Sequence, residues 1–160
     1  MFSINRPNLS GEEWEKYNNE LKEHYAGEID NLQVPGDMTP QEVTAFMSEL
    51  DRLHSQARLD FYQTRRVYEI VKRTQTFALK SVHSRMTDKG RTEKEREGLA
   101  VGQLRNNPLH GMKVDIFTAL DLAEDGNMFM EEVIRSIEVK FRLVDLYLKA
   151  IQLGREGKNG

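Results

Sequence analysis

The chain has 160 residues, a mean hydropathy of −0.66 and no cysteine, with 38% hydrophobic and 31% charged residues. The lack of cysteine excludes disulfides, thiolate zinc sites and cysteine nucleophiles. No segment approaches the roughly 18 apolar residues of a membrane span, and the N-terminus has no apolar signal-peptide core. We therefore expect a cytoplasmic protein.

The net charge of −3 hides a strong asymmetry along the chain. Residues 1–51 hold 3 Lys/Arg and 11 Asp/Glu, whereas residues 52–91 hold 10 Lys/Arg and 3 Asp/Glu. Residues 92–160 are nearly balanced, with 10 and 12. Such asymmetry indicates either an anionic partner or an assembly held by charge pairs.

The first predicted helix is short and acidic on its outer face. Ser10 and Glu13 have the spacing of a capping box, which marks a helix start. Apolar residues then recur at helical spacing: Trp14, Tyr17, Leu21 and Tyr25. We predict a helix over about residues 11–26 and, with the connector after it, an acidic N-terminal unit of residues 1–39.

The second predicted helix is a long rod. Thr39 and Glu42 form another capping box with Pro40 in the first turn, and no glycine or proline follows before Gly90. One column of positions seven apart is apolar except for a threonine: Val43, Leu50, Ala57, Thr64, Val71 and Ala78. This pattern predicts a helix of about 45 residues, whose seam needs another long helix in the same chain or in a neighbouring subunit.

A short charged helix and a second long helix are predicted next. Thr92 and Glu95 form a third capping box. Steps of three and four predict a last helix over about residues 113–155, on these residues: Ile116, Leu120, Ala123, Val133, Ile137, Phe141, Val144, Leu148 and Ile151. Gly126 interrupts it, and the pattern leaves open a kink or a true turn.

The expected fold is all-α, with a short N-terminal helix plus two long helices. The long helices form either a helical hairpin or a coiled-coil-like homo-oligomer. Residues 40–160 would then be the unit for oligomerisation and nucleic-acid binding.

Cations of the long helix fall into two columns with seven-residue spacing, on the side away from the seam. We call this set the basic ridge: Arg58, Arg65, Arg66, Lys72, Arg73 and Lys80. Asp60 and Glu69 are expected to offset it only in part. Like charges at this density repel unless an anion lies on them. Tyr62, between the columns, is a candidate for stacking on an unpaired base.

Other interpretations of the ridge stay open. It can be an ordinary solvated face, a surface neutralised by the acidic N-terminal segment, or a site for another anionic partner.

No phosphate-binding glycine loop, nucleophile elbow or metal-ligand spacing occurs, so we expect no enzyme activity, no cofactor and no metal. Residues 121–132 match four positions of an EF-hand calcium loop, but Ala123 stands where an oxygen ligand is needed.

One hexapeptide of the predicted long helix resembles a segment of a known protein family. Residues 57–62, A-R-L-D-F-Y, resemble the A-R-L-D-Y-Y of the UvsY recombination mediators of T-even bacteriophages, whose basic helix contacts single-stranded DNA. The order of a long basic helix, a charged middle segment and a C-terminal helix with a basic tail is also similar, over residues 40–158. Gln56 stands where that family has a lysine. The resemblance therefore implies a DNA contact for Arg58 alone.

The resemblance implies a non-enzymatic protein in the cytoplasm of a bacterial host that forms a ring-like homo-oligomer. Such a protein acts on single strands coated by a single-strand-binding protein and helps a RecA-like recombinase to load. The leading hypothesis is therefore sequence-independent binding of single-stranded DNA. The alternative is a structural or adaptor helical protein, such as a phage assembly component, whose basic ridge pairs with acidic protein.

Overall fold

The structure, a computed structural model, describes residues 9–32, 39–86 and 92–156. The regular elements in these ranges are all helices: α1 Gly11–Asn31, α2 Pro40–Arg85, α3 Glu93–Asn106 and α4 Ile116–Glu156. The all-α prediction is confirmed. Within the same ranges, none of the helices combines the length and the apolar character that crossing a membrane requires.

The first three helices begin with the same reciprocal cap. Ser10, Thr39 and Thr92 each accept a hydrogen bond from the backbone N–H three residues on. The glutamate at that third position accepts one from the backbone N–H of the cap in return. Two otherwise unpaired N–H groups are satisfied at each start, so these three helices begin where the capping boxes predicted.

The two long helices pack against each other in antiparallel orientation. The ring of His54 lies edge-on to Phe141, with 5.6 Å between ring centroids, and later in α2 Tyr68 contacts Glu124, which is earlier in α4. All six positions of the predicted apolar column of α2 are buried. The long seam is therefore covered within one chain, chiefly by α4. Gly90, expected just beyond α2, lies outside the described residues.

The acidic helix α1 belongs to the same core as the long helices. Leu21 and Tyr25 are buried with Leu50 of α2 and Ile137 of α4. Trp14 is buried in a second cluster shared by all the helices. Burying a large apolar side chain contributes about 1.5–3 kcal/mol, so these contacts hold α1 firmly on the hairpin.

α1 ends later than the sequence predicted. It continues to Asn31, because Ile29 and Leu32 pack against the core and the Glu28 carboxylate pairs with Arg52 of α2 at 3.1 Å. Its predicted end at residue 26 was therefore too early.

α4 runs without a break through Gly126. A Cβ atom on Gly126 would lie 2.8 Å from Oδ1 of Asn18, so α1 approaches α4 closely at this glycine. The Asn18 amide donates to the carbonyl of Leu122 at 3.0 Å and to the Asp125 carboxylate at 3.3 Å. The helix therefore neither turns nor forms a calcium loop over residues 121–132.

Candidate nucleic-acid interface

The outward face of α2 carries the predicted binding residues. All six cations of the basic ridge are exposed, and Tyr62 exposes 71% of its surface. Because α2 is continuous here, the helical rise places Arg58 and Lys80 about 33 Å apart along its axis. The chain thus presents a basic surface about six turns long.

Arg65 is partly engaged by carboxylates. Its guanidinium pairs with Glu69 of the same helix at 2.9 Å and with Glu131 of α4 at 3.5 Å. Since Arg65 remains half exposed and both pairs face water, each contributes little to stability. They nevertheless compete with any anion that binds at this position.

Lys72 is also partly engaged, through Tyr68. Its Nζ donates to the Tyr68 hydroxyl at 3.1 Å and lies 5.2 Å from the ring centroid, while Arg65 lies 5.7 Å from the same centroid. The hydrogen bond with Tyr68, reinforced by its charge interaction, raises the pKa of Lys72. The Tyr68 hydroxyl in turn donates to Glu124 of α4 at 3.4 Å. Arg65 and Lys72 are therefore tied to the flank that faces α4.

The other four ridge cations have no such partners among the residues that the structure describes. Within the described part of the chain, no acidic side chain lies within ion-pair distance of Arg58, Arg66, Arg73 or Lys80. We call these four the unpaired cations. The acidic face of α1 does not neutralise them, since its ion pair with α2 goes to Arg52 instead.

Asp60 does not offset the ridge as the sequence suggested. It is fully buried, and its Oδ2 accepts hydrogen bonds from the Tyr25 hydroxyl at 2.6 Å and from the Gln56 amide at 3.1 Å. In the A-R-L-D-F-Y run, Ala57 and Asp60 are buried while Arg58 and Tyr62 face solvent. The run therefore combines packing positions with surface positions.

The tyrosines around Asp60 remain protonated at neutral pH. Burial, followed by the hydrogen bond to Asp60, raises the pKa of Tyr25 far above its ordinary value. Burial, followed by the charge of Asp60, raises the pKa of Tyr17 to about 12. Tyr25 thus stays a hydrogen-bond donor, which the buried carboxylate requires.

Sequence reasoning missed apolar side chains on the same face. Leu59, Ile70 and especially Phe77, with 75% of its surface exposed, stand among the cations. A groove of about 420 Å³ is lined by Glu69, Lys72, Arg73, Thr76, Phe77 and Lys80. The signal was available, because 100° per residue places Phe77 on the outward side as it does Arg73.

In the described residues, no cluster of three or more His, Asp or Glu side chains is arranged to hold a metal ion. No protein-family model matches this chain, and no curated protein and no solved structure matches it. The surface of α2 is therefore the main basis for a functional proposal.

Proposed function

We propose that this protein binds single-stranded DNA without sequence preference, as a non-enzymatic accessory protein of phage-type recombination or replication. The observation that carries the proposal is the row of unpaired cations on a continuous helix. Cations with no ion-pair partner among the described residues can neutralise phosphates, and the counterions released from the nucleic acid favour binding. Arg65 and Lys72 contribute to the same surface with part of their charge engaged.

Tyr62 favours single strands over duplex. Its exposed ring lies between Arg58 and Arg66, one helical turn from each. A base can stack on such a ring only when it is not already stacked inside a duplex, and stacking of this kind tolerates any base. Phosphate contacts together with stacking account for binding without sequence preference.

The resemblance to UvsY mediators suggests the setting for this activity. It supports a role in which the protein helps a RecA-like recombinase to load on strands coated by a single-strand-binding protein. Exposed carboxylates of α1 suit contact with a basic protein surface: Glu12, Glu15, Glu20 and Glu23. We assign this face to protein partners and the ridge to the strand.

A homo-oligomer would place several ridges side by side. α4 has a second apolar stripe, opposite to its buried face, formed by Val139, Leu143 and Leu146. Their spacing of four and three is that of a helix-packing seam, and each exposes about half its surface or more. We place the contact between subunits there, and the resemblance suggests a ring.

The second candidate is a structural or adaptor protein, and the same stripe on α4 favours it. In that case the stripe binds other proteins and the ridge pairs with acidic protein. The two candidates differ in whether purified protein binds nucleic acid at all.

The test is the binding of a fluorescently labelled oligothymidine, measured by anisotropy at two salt concentrations. Arg66→Ala with Arg73→Ala should weaken binding about tenfold or more and reduce the salt dependence, because two phosphate contacts are lost. Arg135→Ala with Arg142→Ala on α4 removes the same charge from another exposed face and should change little. Equal affinity of the two double variants, or a wild type that does not bind, would reject the proposal in favour of the adaptor.

A further inference from the structure

We propose that Phe77 is a second base-stacking platform, and that Lys72, Arg73 and Lys80 complete around it a subsite for one unpaired nucleotide. This inference rests on the proposed binding of single strands. It extends that binding to a part of α2 for which the resemblance supplies no residue.

Packing in the core of the described residues does not account for the aromatic side chain of Phe77. It belongs to none of the hydrophobic clusters of the described residues, and three-quarters of its surface faces solvent. Single exposed apolar residues are common and need no function. This ring, however, lines a groove with three cations, which is an unfavourable place for an apolar protein segment and a favourable one for a nucleotide.

The groove has the size and the charge for such a ligand. It is lined by α2 alone and is open to solvent, and its volume of about 420 Å³ falls within the range of about 300–1,000 Å³ of small-molecule sites. Glu69 is the one carboxylate among its described lining residues, and Arg65 pairs with it at 2.9 Å. The charge left to a ligand is therefore cationic, as a phosphate requires, and the ring offers a face to the attached base.

The position of Phe77 relative to Tyr62 fits one strand on both rings. The two residues are about 22 Å apart along an unbroken helix, and their directions differ by about 60° around its axis. Arg66 and Arg73 lie between them on the same side. A strand stacked on both rings would thus have its phosphates held by unpaired cations, over a length that suits the usual site sizes of about 4–16 nucleotides.

The experiment compares ring variants with an oligothymidine of about 15 nucleotides, which is long enough for both platforms. Phe77→Ala should weaken binding about 5- to 150-fold, while Phe77→Tyr, which keeps an aromatic face, should bind as the wild type does. The salt dependence should stay unchanged, because no phosphate contact is lost. Leu99→Ala, which removes an exposed apolar side chain from α3, is the control.

Fluorescence gives a second readout. The native Trp14 is buried, with 1% of its surface exposed, so Phe77→Trp adds one exposed indole over a constant background. Stacking should quench it on titration with the oligothymidine, and the same oligomer made of abasic residues should leave it unquenched.

The outcomes separate this inference from the proposed function. If the wild type does not bind the oligothymidine, the proposed function fails and the subsite with it. Another outcome is that the wild type binds, the Arg66→Ala, Arg73→Ala variant loses affinity and Phe77→Ala does not. That result would support the ridge and reject the subsite. Absence of quenching in Phe77→Trp would also reject the subsite. The exposed ring would then be assigned to contact with a protein partner.

Discussion

The hydroxyl of Tyr25 donates a hydrogen bond of 2.6 Å to the Asp60 carboxylate, and both side chains are fully buried. The two residues are 35 positions apart, so this bond joins α1 to α2. A buried carboxylate is costly unless donors surround it, and here Tyr25 and Gln56 supply them. This bond therefore ties the A-R-L-D-F-Y run of α2, whose Arg58 and Tyr62 face outward, to α1.

Tyr25→Phe should lower the free energy of unfolding by about 1–3 kcal/mol, because Asp60 stays buried with one donor fewer. Urea unfolding followed by Trp14 fluorescence measures the change. Tyr62→Phe removes an exposed hydroxyl and should stay within about 0.5 kcal/mol of the wild type. If the two variants are equally stable, the buried pair does not anchor α1.

Gly126→Ala should destabilise the protein, although alanine favours a helix over glycine by about 1 kcal/mol. The new Cβ would meet Oδ1 of the buried Asn18 at 2.8 Å and displace an amide that makes two hydrogen bonds. Thermal unfolding is the measurement.

Gly98→Ala on α3 is the control for Gly126→Ala, since nothing lies within 4 Å of its added Cβ. It should raise stability by about 0.5–1 kcal/mol through helix propensity alone. A gain at both glycines would contradict the close approach of α1 to α4.

Glu13 should make stability depend on pH in the acid range. Its hydrogen bond with Lys113 at 2.8 Å, followed by its cap hydrogen bonds with Ser10, lowers the pKa of Glu13 to about 2. A group with a lowered folded-state pKa stabilises fully above its ordinary value near 4.5 and loses that effect as pH falls toward 2.

The melting temperature of the wild type should therefore exceed that of Glu13→Gln at neutral pH, and the difference should vanish between about pH 4.5 and about pH 2. Glu12→Gln, at a neighbouring exposed position without an ion pair to a described residue, should show a smaller difference. A constant difference across this range would exclude titration of Glu13 as its cause.

Leu143→Glu with Leu146→Glu should dissociate the proposed oligomer. Full burial of a leucine contributes about 1.5–3 kcal/mol, and about half of that is available here because each leucine exposes about half its surface. Loss of both should weaken self-association about tenfold or more. Sedimentation velocity at several concentrations measures it, with Leu99→Glu on α3 as the control at another exposed leucine. If the wild type is monomeric, the stripe on α4 is not a subunit interface. The proposed role of the ridge would be unaffected.

Much of the fold could be predicted because it is encoded locally. The three capping boxes predicted the helix starts, since each involves four consecutive residues. The column from Val43 to Ala78 predicted the buried face of α2 from spacing alone, including the buried Thr64, whose hydroxyl donates to the carbonyl of Phe61.

The remaining features depend on residues far apart in sequence. Asp60 looked like a surface carboxylate, and only Tyr25 on another helix makes its burial tolerable. Gly126 looked like a break, and only the approach of Asn18 explains a glycine there. In the ridge, spacing predicted the exposed cations and placed Glu69 near Arg65, but the second ion pair of Arg65, with Glu131 on α4, is in no local pattern.

Because α2 is one unbroken helix that packs against α4, the separation between Tyr62 and Phe77 is a fixed dimension of the protein. A flexible polymer that binds to both rings must then give up its own conformational freedom, while the protein gives up little. The bound strand would be straightened along the helix axis, with the pairing edges of its bases left open to a complementary sequence.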